Sequence, residues 1–285
     1  RGRFWVYYVT DSPSGQVIHT SYVTEKSFKF PFVAVIPKGE GPHPFFIHIN
    51  FRPNVPDEYM PTEEIVDNGF GCASFCYKNV TSDDDDFTNG LAGVIYKGKE
   101  RTPYSPGKIA MWAWAAMRVM DFLQTRDEVD KDNICVCGHS RLGKTALVAG
   151  MFDERFKFSY SNDSGCSGAA LARGTTGETV EDICDRFPFW FCENYKKYLD
   201  NEENMPFDQH FLLAAIAPRF VCVGSAHKDL WAGPYQEQLS CIGASDAWDI
   251  LGETGYVGKT EPADIGDDFS DGHIGYHLRD GIHFL

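Results

Sequence analysis

Apolar and polar positions along this chain follow two rhythms. Residues 1–10 and 17–36 alternate, or run apolar, with β-branched and aromatic side chains, which predicts a meander of antiparallel strands. Residues 45–50 and 71–77 read as central strands. The helical rhythm is clearest over 108–124, apolar at 109, 112, 113, 116, 117, 120 and 123, the i, i+3, i+4 spacing of a packed face. A strand running to residue 139 and a helix-forming run from 145 come next. After them follow a strand at 156–162, a loop-rich region to about 205, a helix near 208–215, a strand at 219–225, a helix around 233–243 and a last strand near 274–278. Residues 78–107 form a long polar connection, and loops of that length inside a compact domain are functional or irregularly packed. Strands alternating with helices predict an α/β fold: a mostly parallel central sheet, covered on both faces to make three layers. No repeat or low-complexity linker interrupts the pattern, so residues 1–285 are expected to form one domain.

Composition narrows the classes. With 43% hydrophobic and 14% aromatic residues, the chain can fill a core and line a cleft. A formal charge of −15 argues against nucleic acid as a partner, since phosphate recognition needs a basic face. No apolar run reaches the roughly 18 residues of a membrane span. The chain opens at Arg1 without a methionine, so the lack of a leader says nothing about export. Nine scattered cysteines lack the paired spacing of a zinc site and read as small buried apolar residues with at most one disulfide. The acidic run Ser82 to Asp86 lacks the alternating ligands of a calcium loop and reads as a solvated turn. No metal or cofactor is expected.

The chemistry concentrates at Gly138-His139-Ser140-Arg141-Leu142-Gly143-Lys144. A strand, a sharp turn with serine at its apex and a helix make a nucleophile elbow, as at the top of an α/β-hydrolase sheet. Gly138 supplies the small residue the turn needs before the serine. After it the usual glycine position holds Leu142, and the glycine comes one later, at Gly143. Serine needs a base and an orienting acid, in the chain order Ser, acid, His. His19, His43 and His48 precede the elbow. His139 sits within it and is expected to point away from the serine's side of the sheet. His210 falls in a helix, His227 in a loop, and His273 and His277 flank or sit in the last strand. His283 lies in the loop after that strand, where the base of this fold belongs. Two acids compete to orient it: Asp163, at the end of the strand after the elbow helix, and Asp229, just past strand 219–225. The backbone N–H of Arg141 is the expected oxyanion donor. Lys144, one helical turn beyond Ser140, is expected at the cleft rim. Phe187, Trp190 and Phe191 read as core.

The elbow Gly-x-Ser-Arg-x-Gly-Lys resembles that of the glucuronoyl esterases, carbohydrate esterase family fifteen. So do Phe51-Arg52-Pro53-Asn54-Val55-Pro56, Asp86-Phe87-Thr88-Asn89-Gly90, Ser161-Asn162-Asp163-Ser164-Gly165-Cys166 and Gly177-Glu178-Thr179-Val180. Pro206-Phe207-Asp208-Gln209-His210, Ile216-Ala217-Pro218-Arg219, Asp229-Leu230-Trp231-Ala232 and Gly275-Tyr276-His277-Leu278-Arg279 extend the likeness to bacterial members over nearly the whole chain. The resemblance implies an α/β-hydrolase fold with Ser140 as nucleophile and His283 as base. It also implies that the Arg141 guanidinium reaches the oxyanion, and that Lys144, Glu178 and Trp231 contact the sugar. Fungal members carry a Glu where this chain has Asp163, and many bacterial members carry an acid at the Asp229 position. The shorter side chain at 163 draws its oxygens back by about 1.5 Å, so Asp229 is expected to be the main orienter and Asp163 a helper or a structural turn acid. The implied substrate is an ester of (4-O-methyl-)glucuronic acid linking lignin to glucuronoxylan. The implied setting is extracellular, within a larger cell-wall-degrading protein. An acetyl xylan esterase and a non-catalytic carbohydrate-binding relative are the alternatives.

Overall fold

The computed structural model describes the backbone of residues 4–9 and the whole of residues 28–285. In chain order the elements are β1 (Phe4–Val9), β2 (Phe32–Pro37), β3 (His43–Asn50), α1 (Thr62–Asp67), β4 (Gly71–Cys76), α2 (Gly90–Tyr96), α3 (Lys108–Leu123) and β5 (Val129–His139). Then come α4 (Arg141–Phe152), β6 (Phe158–Asn162), α5 (Val180–Arg186), α6 (His210–Ala214), β7 (Phe220–Ala226), α7 (Pro234–Ile250), β8 (Asp268–Phe269) and β9 (Ile274–Arg279). The strands form one sheet in the order β1-β2-β4-β3-β5-β6-β7-β9-β8. From β4 through β9 the neighbours run parallel. β1, β2 and β8 join antiparallel at the edges. Residues 1–3, 10 and 17–27 of the expected meander lie outside the described residues.

Two apolar clusters fix the helices to the sheet. Trp112, Ala116 and Met120 of α3 and Ala146 of α4 pack with Ile36, Ile47, Ile49 and Val136. Leu213 of α6 and Cys241 and Trp248 of α7 pack with Val221, Val223, Ile274 and Tyr276. Each large side chain removed from water in this way contributes about 1.5–3 kcal/mol. α1 packs its Val66 with Val35 of β2 and Cys72 of β4 in a separate cluster. A hollow of about 530 Å³, lined by Phe46, Cys135, Phe158, Tyr160 and Phe220 among others, opens over the starts of the strands.

Three elements depart from the expected pattern. The 78–107 connection holds α2, whose Leu91, Ala92 and Tyr96 are buried; seven residues are too few to display a helical period. The loop-rich region holds α5, started by a capping box in which Thr179 and Asp182 satisfy each other's backbone N–H groups. α7 runs seven residues beyond 243, and its buried side includes Gln236, Glu237, Gln238 and Ser240, so apolar spacing does not trace it. All nine cysteines are free thiols, six of them buried. No helix among the described residues is long and apolar enough to cross a membrane.

Candidate active site

Because β5, β6, β7 and β9 are parallel, the segments that follow them all leave from the same edge of the sheet. Ser140 follows β5, Asp163 follows β6, Asp229 lies just past β7 and His283 just past β9. Ser140 adopts φ 57°, ψ −128°, a strained conformation for a residue with a Cβ. Its N–H donates to the Asn162 carbonyl at 2.8 Å, which ties the elbow to β6. A Cβ on Gly138 would sit 2.2 Å from the Leu142 carbonyl oxygen, so the turn admits no side chain there. The displaced glycine is explained as well. Leu142 is buried in the core, whereas a Cβ at Gly143 would come within 2.9 Å of Ser161 Oγ and 3.0 Å of Ser164 Cβ. The close approach of α4 to the β6 end therefore falls at 143, not 142.

His283 donates through Nδ1 to Asp229 Oδ2 at 2.5 Å. Asp229 is buried, and its other oxygen accepts the Ala232 N–H at 3.3 Å. A proton held on Nδ1 leaves Nε2 as the basic nitrogen, the tautomer a general base needs. Asp163 is committed elsewhere. Its Oδ1 accepts the Ala226 N–H at 2.6 Å, and its Oδ2 accepts Arg279 Nη2 at 2.6 Å and Asn162 Nδ2 at 3.0 Å. Burial pushes its carboxyl up to about 6, with Arg279 opposing the rise and Asp229 adding to it. Asp163, Asp229 and His283 offer ligand atoms within 4.8 Å of one another, the spacing of a metal cluster. The hydrogen bonds just described already occupy His283 Nδ1 and both oxygens of each acid, which suits a proton-relay site better than a cation.

His139 departs from expectation. Instead of pointing away, its ring lies 4.5 Å, centroid to centroid, from that of His283. It is buried, with Asn162 Nδ2 donating to its Nδ1 at 2.8 Å and the Tyr59 ring stacked 5.9 Å away. Burial, then the neighbouring His283, hold its imidazole down to about 3, so it is a neutral wall beside His283. The last segment folds back over the sheet edge and brings the His283 ring to residue 139, a tertiary event that no local pattern reports.

Arg141 opens α4, so its backbone N–H is one of the unpaired donors of a helix N-terminus. Its guanidinium pairs with the Asp83 carboxylate and lies 4.7 Å from the Trp190 ring centroid and 5.2 Å from that of Phe187. Those two rings are themselves stacked, 3.9 Å apart and nearly parallel. The Arg141 Nε is buried with no hydrogen-bond partner. The acidic run is accordingly more than a solvated turn: Asp83 is almost fully buried and also accepts Tyr77 Oη and Trp190 Nε1 at 2.8 and 2.7 Å. Trp190, read as core, is buried, but its indole N–H and ring face serve this pair, and Phe187 is only half-buried.

Lys144 is not at a rim. It is 4% exposed, with Nζ donating to the carbonyls of Ser164 and Cys166. Burial pushes its ammonium down, and Glu178 is the largest influence opposing that. The Glu178 N–H donates to the Trp231 carbonyl at 2.9 Å, which joins the two loops expected to meet a sugar. Trp231 is 46% exposed, with the Arg186 guanidinium 5.0 Å from its ring centroid. An exposed indole is not a core residue, and an exposed ring face suits a pyranose. Asp83, Trp190, Phe187 and His139 are the site neighbours that sequence reasoning missed. The signal for Asp83 lay in the run 83–86, but no spacing marks which of four consecutive aspartates is buried.

A serine elbow on a mostly parallel sheet, with acids and a histidine after later strands, is the α/β-hydrolase fold. A family model described as the fungal glucuronyl esterases matches residues 20–252. A carbohydrate esterase, MZ0003, of an unknown prokaryotic organism is 40% identical over 78% of this chain and 51% of its own length. A 4-O-methyl-glucuronoyl methylesterase of Podospora anserina is 29% identical over 89% of this chain and 53% of its own. Among solved structures, a glucuronoyl esterase from Solibacter usitatus superposes with a TM-score of 0.83 at 34% identity, over 90% of this chain and 73% of that one. A glucuronoyl esterase from Teredinibacter turnerae reaches 0.85 at 28% identity, over 99% and 75%. The chain belongs to the glucuronoyl esterase family. It spans about half the length of the curated relatives it matches.

Proposed function

We propose that this chain is a serine esterase that hydrolyses esters of glucuronic acid, including the 4-O-methyl form, and so cuts the ester links between lignin and glucuronoxylan. The observation that carries the reading is the 2.5 Å bond between His283 Nδ1 and a buried Asp229, with the His283 ring beside the elbow residue His139. In the proposed reaction Ser140 Oγ attacks the ester carbonyl carbon while His283 Nε2 takes its proton. The oxyanion is met by the Arg141 backbone N–H and by its guanidinium, whose Nη1 is held by Asp83 and whose Nε is buried, which leaves Nη2 to face the substrate. Collapse breaks the bond to the alcohol oxygen, which leaves with the proton from His283. Water, deprotonated by the same nitrogen, then attacks the acyl carbon, releases the uronic acid and restores Ser140.

The sugar side of the reading rests on Trp231 as a ring platform, on Glu178 beside it as an acceptor for hydroxyl protons, and on Lys144 as the positive charge beneath them. The acyl half of an acetyl ester is a methyl group, too small to fill a sugar pocket on the acyl side, so an acetyl esterase is the weaker alternative. A purely carbohydrate-binding protein would have no need of a histidine held in one tautomer by a buried acid. An extracellular site of action and additional domains are part of the proposal on family grounds alone, since nine free thiols do not call for an oxidising compartment. Ser140→Ala is the first test: hydrolysis of benzyl glucuronate should fall by several orders of magnitude with the melting temperature kept. A variant retaining more than about a tenth of wild-type turnover would remove Ser140 from the chemistry.

A further inference from the structure

We infer that Asp83 is a positioning residue for the reaction: it holds the Arg141 guanidinium in the one orientation that leaves a free N–H for the oxyanion. The inference rests on the proposed part of Arg141 as an oxyanion donor.

An arginine side chain is long and loses much of its freedom when it must point one way. Three separate segments restrain this one. Asp83 Oδ2 accepts from Arg141 Nη1 and from Tyr77 Oη, which follows β4. Asp83 Oδ1 accepts from Trp190 Nε1, which follows α5. The Trp190 and Phe187 rings that flank the guanidinium are fixed by their own stacking. Nη1 is therefore spent on the acid, Nε is buried, and the rings limit rotation, so Nη2 is the nitrogen left to face the substrate. A pair of this kind on an open surface would hold little. Here the carboxylate is buried and its oxygens accept three donors.

The acid is itself held. Lys108, fully buried at the start of α3, donates from Nζ to Thr81 Oγ1 at 3.0 Å and to the Asp86 carbonyl at 2.7 Å. Trp112 Nε1 donates to the Thr81 carbonyl at 3.2 Å. Asn89 Nδ2 closes the loop onto Ser82 Oγ at 2.8 Å and Asp86 Oδ2 at 3.0 Å. A buried lysine is costly unless its protons are taken up, and here they are taken up by the segment on either side of Asp83. The 81–89 loop is a fixed mount for one carboxylate.

A positioning role predicts a particular kinetic signature. Asp83→Asn keeps the shape and the Trp190 donor but weakens the hold on the guanidinium. A displacement near 1 Å costs up to about 10²-fold in rate, so kcat on benzyl glucuronate should fall about 10- to 100-fold while KM stays within about twofold. Arg141→Ala alone should lower kcat by about 10²–10³. The double variant should be no slower than Arg141→Ala, because a positioning group has nothing left to position. Multiplying losses, or an unchanged kcat in Asp83→Asn, would overturn the inference while leaving Arg141 a donor. An unchanged kcat in Arg141→Ala would instead remove the donor and the inference with it. If Asp83→Asn does not fold, Trp190→Phe keeps the ring and deletes only the N–H to Oδ1. It should cost several-fold in kcat in the wild type and nothing in the Arg141→Ala background; any other pattern counts against the role.

Discussion

Replacing Asp229 by asparagine is the most telling change at the site, because the structure dictates which way the new amide must face. The Ala232 N–H donates to Oδ1, so the asparagine oxygen takes that position and the NH2 group falls at the Oδ2 position, 2.5 Å from His283 Nδ1. Two donors cannot face each other, so Nδ1 gives up its proton and the imidazole carries it on Nε2. That nitrogen can no longer accept the serine proton. The loss expected from a reversed tautomer in a serine triad is about 10⁴ in kcat, or about 5.5 kcal/mol of barrier. Asp163→Asn should behave differently. The asparagine keeps one acceptor oxygen, so either Arg279 or the Ala226 N–H loses its partner and the half-buried ion pair is lost, and the melting temperature should fall more than kcat does. The assay is initial-rate hydrolysis of benzyl glucuronate by both variants, with thermal melts of each. If Asp229→Asn keeps a tenth of wild-type kcat, or if Asp163→Asn is the slower enzyme, the assignment of the orienting acid fails.

Further outcomes follow from the same geometry. Trp231→Ala should lower kcat/KM for benzyl glucuronate by about 10-fold or more, the scale of losing apolar contact in a pocket, and spare 4-nitrophenyl acetate; equal losses on both esters would make it a structural residue. Lys144→Met should weaken uronate selectivity and also lower the melting temperature, because the carbonyls of Ser164 and Cys166 lose their donor; a variant as stable as wild type would contradict the second effect. Glu237, fully buried between Ser164, Gly165 and Ser225, is pushed by that burial from 4.5 up to about 8. The folded chain therefore binds this proton where the unfolded chain has released it, and its contribution to stability declines as pH rises from about 4.5 through about 8. Glu237→Gln should flatten that decline in melts taken at a series of pH values. Parallel curves for variant and wild type would show that Glu237 titrates normally.

What the sequence reveals at this site is what is local or ordered along the chain. The elbow is legible because strand, turn and helix are contiguous, and the need for Gly138 follows from a turn in which only Ser140 separates strand from helix. His283 and Asp229 are 54 residues apart, and only the order of strands links them in advance. The depth of Lys144 is hidden, since helical spacing gives its direction from Ser140 but not the 164–166 loop that covers it. The Trp190 segment reads as core because an apolar run looks the same whether it meets aliphatic neighbours or a guanidinium. Which aspartate of 83–86 turns inward depends on Tyr77, Trp190 and Arg141, from three separate parts of the chain. The extent of α7 is lost for a related reason, as its buried polar side chains satisfy partners elsewhere in the fold.

The central claim is that a serine elbow in this chain acts on uronate esters rather than on esters in general. Its most direct test is kcat/KM for benzyl glucuronate and for 4-nitrophenyl acetate, measured on one preparation alongside Ser140→Ala. kcat/KM should be higher on the uronate ester, although nitrophenol is the better leaving group, and both activities should be lost in the variant. Cleavage of the acetate with none of the glucuronate ester would contradict it.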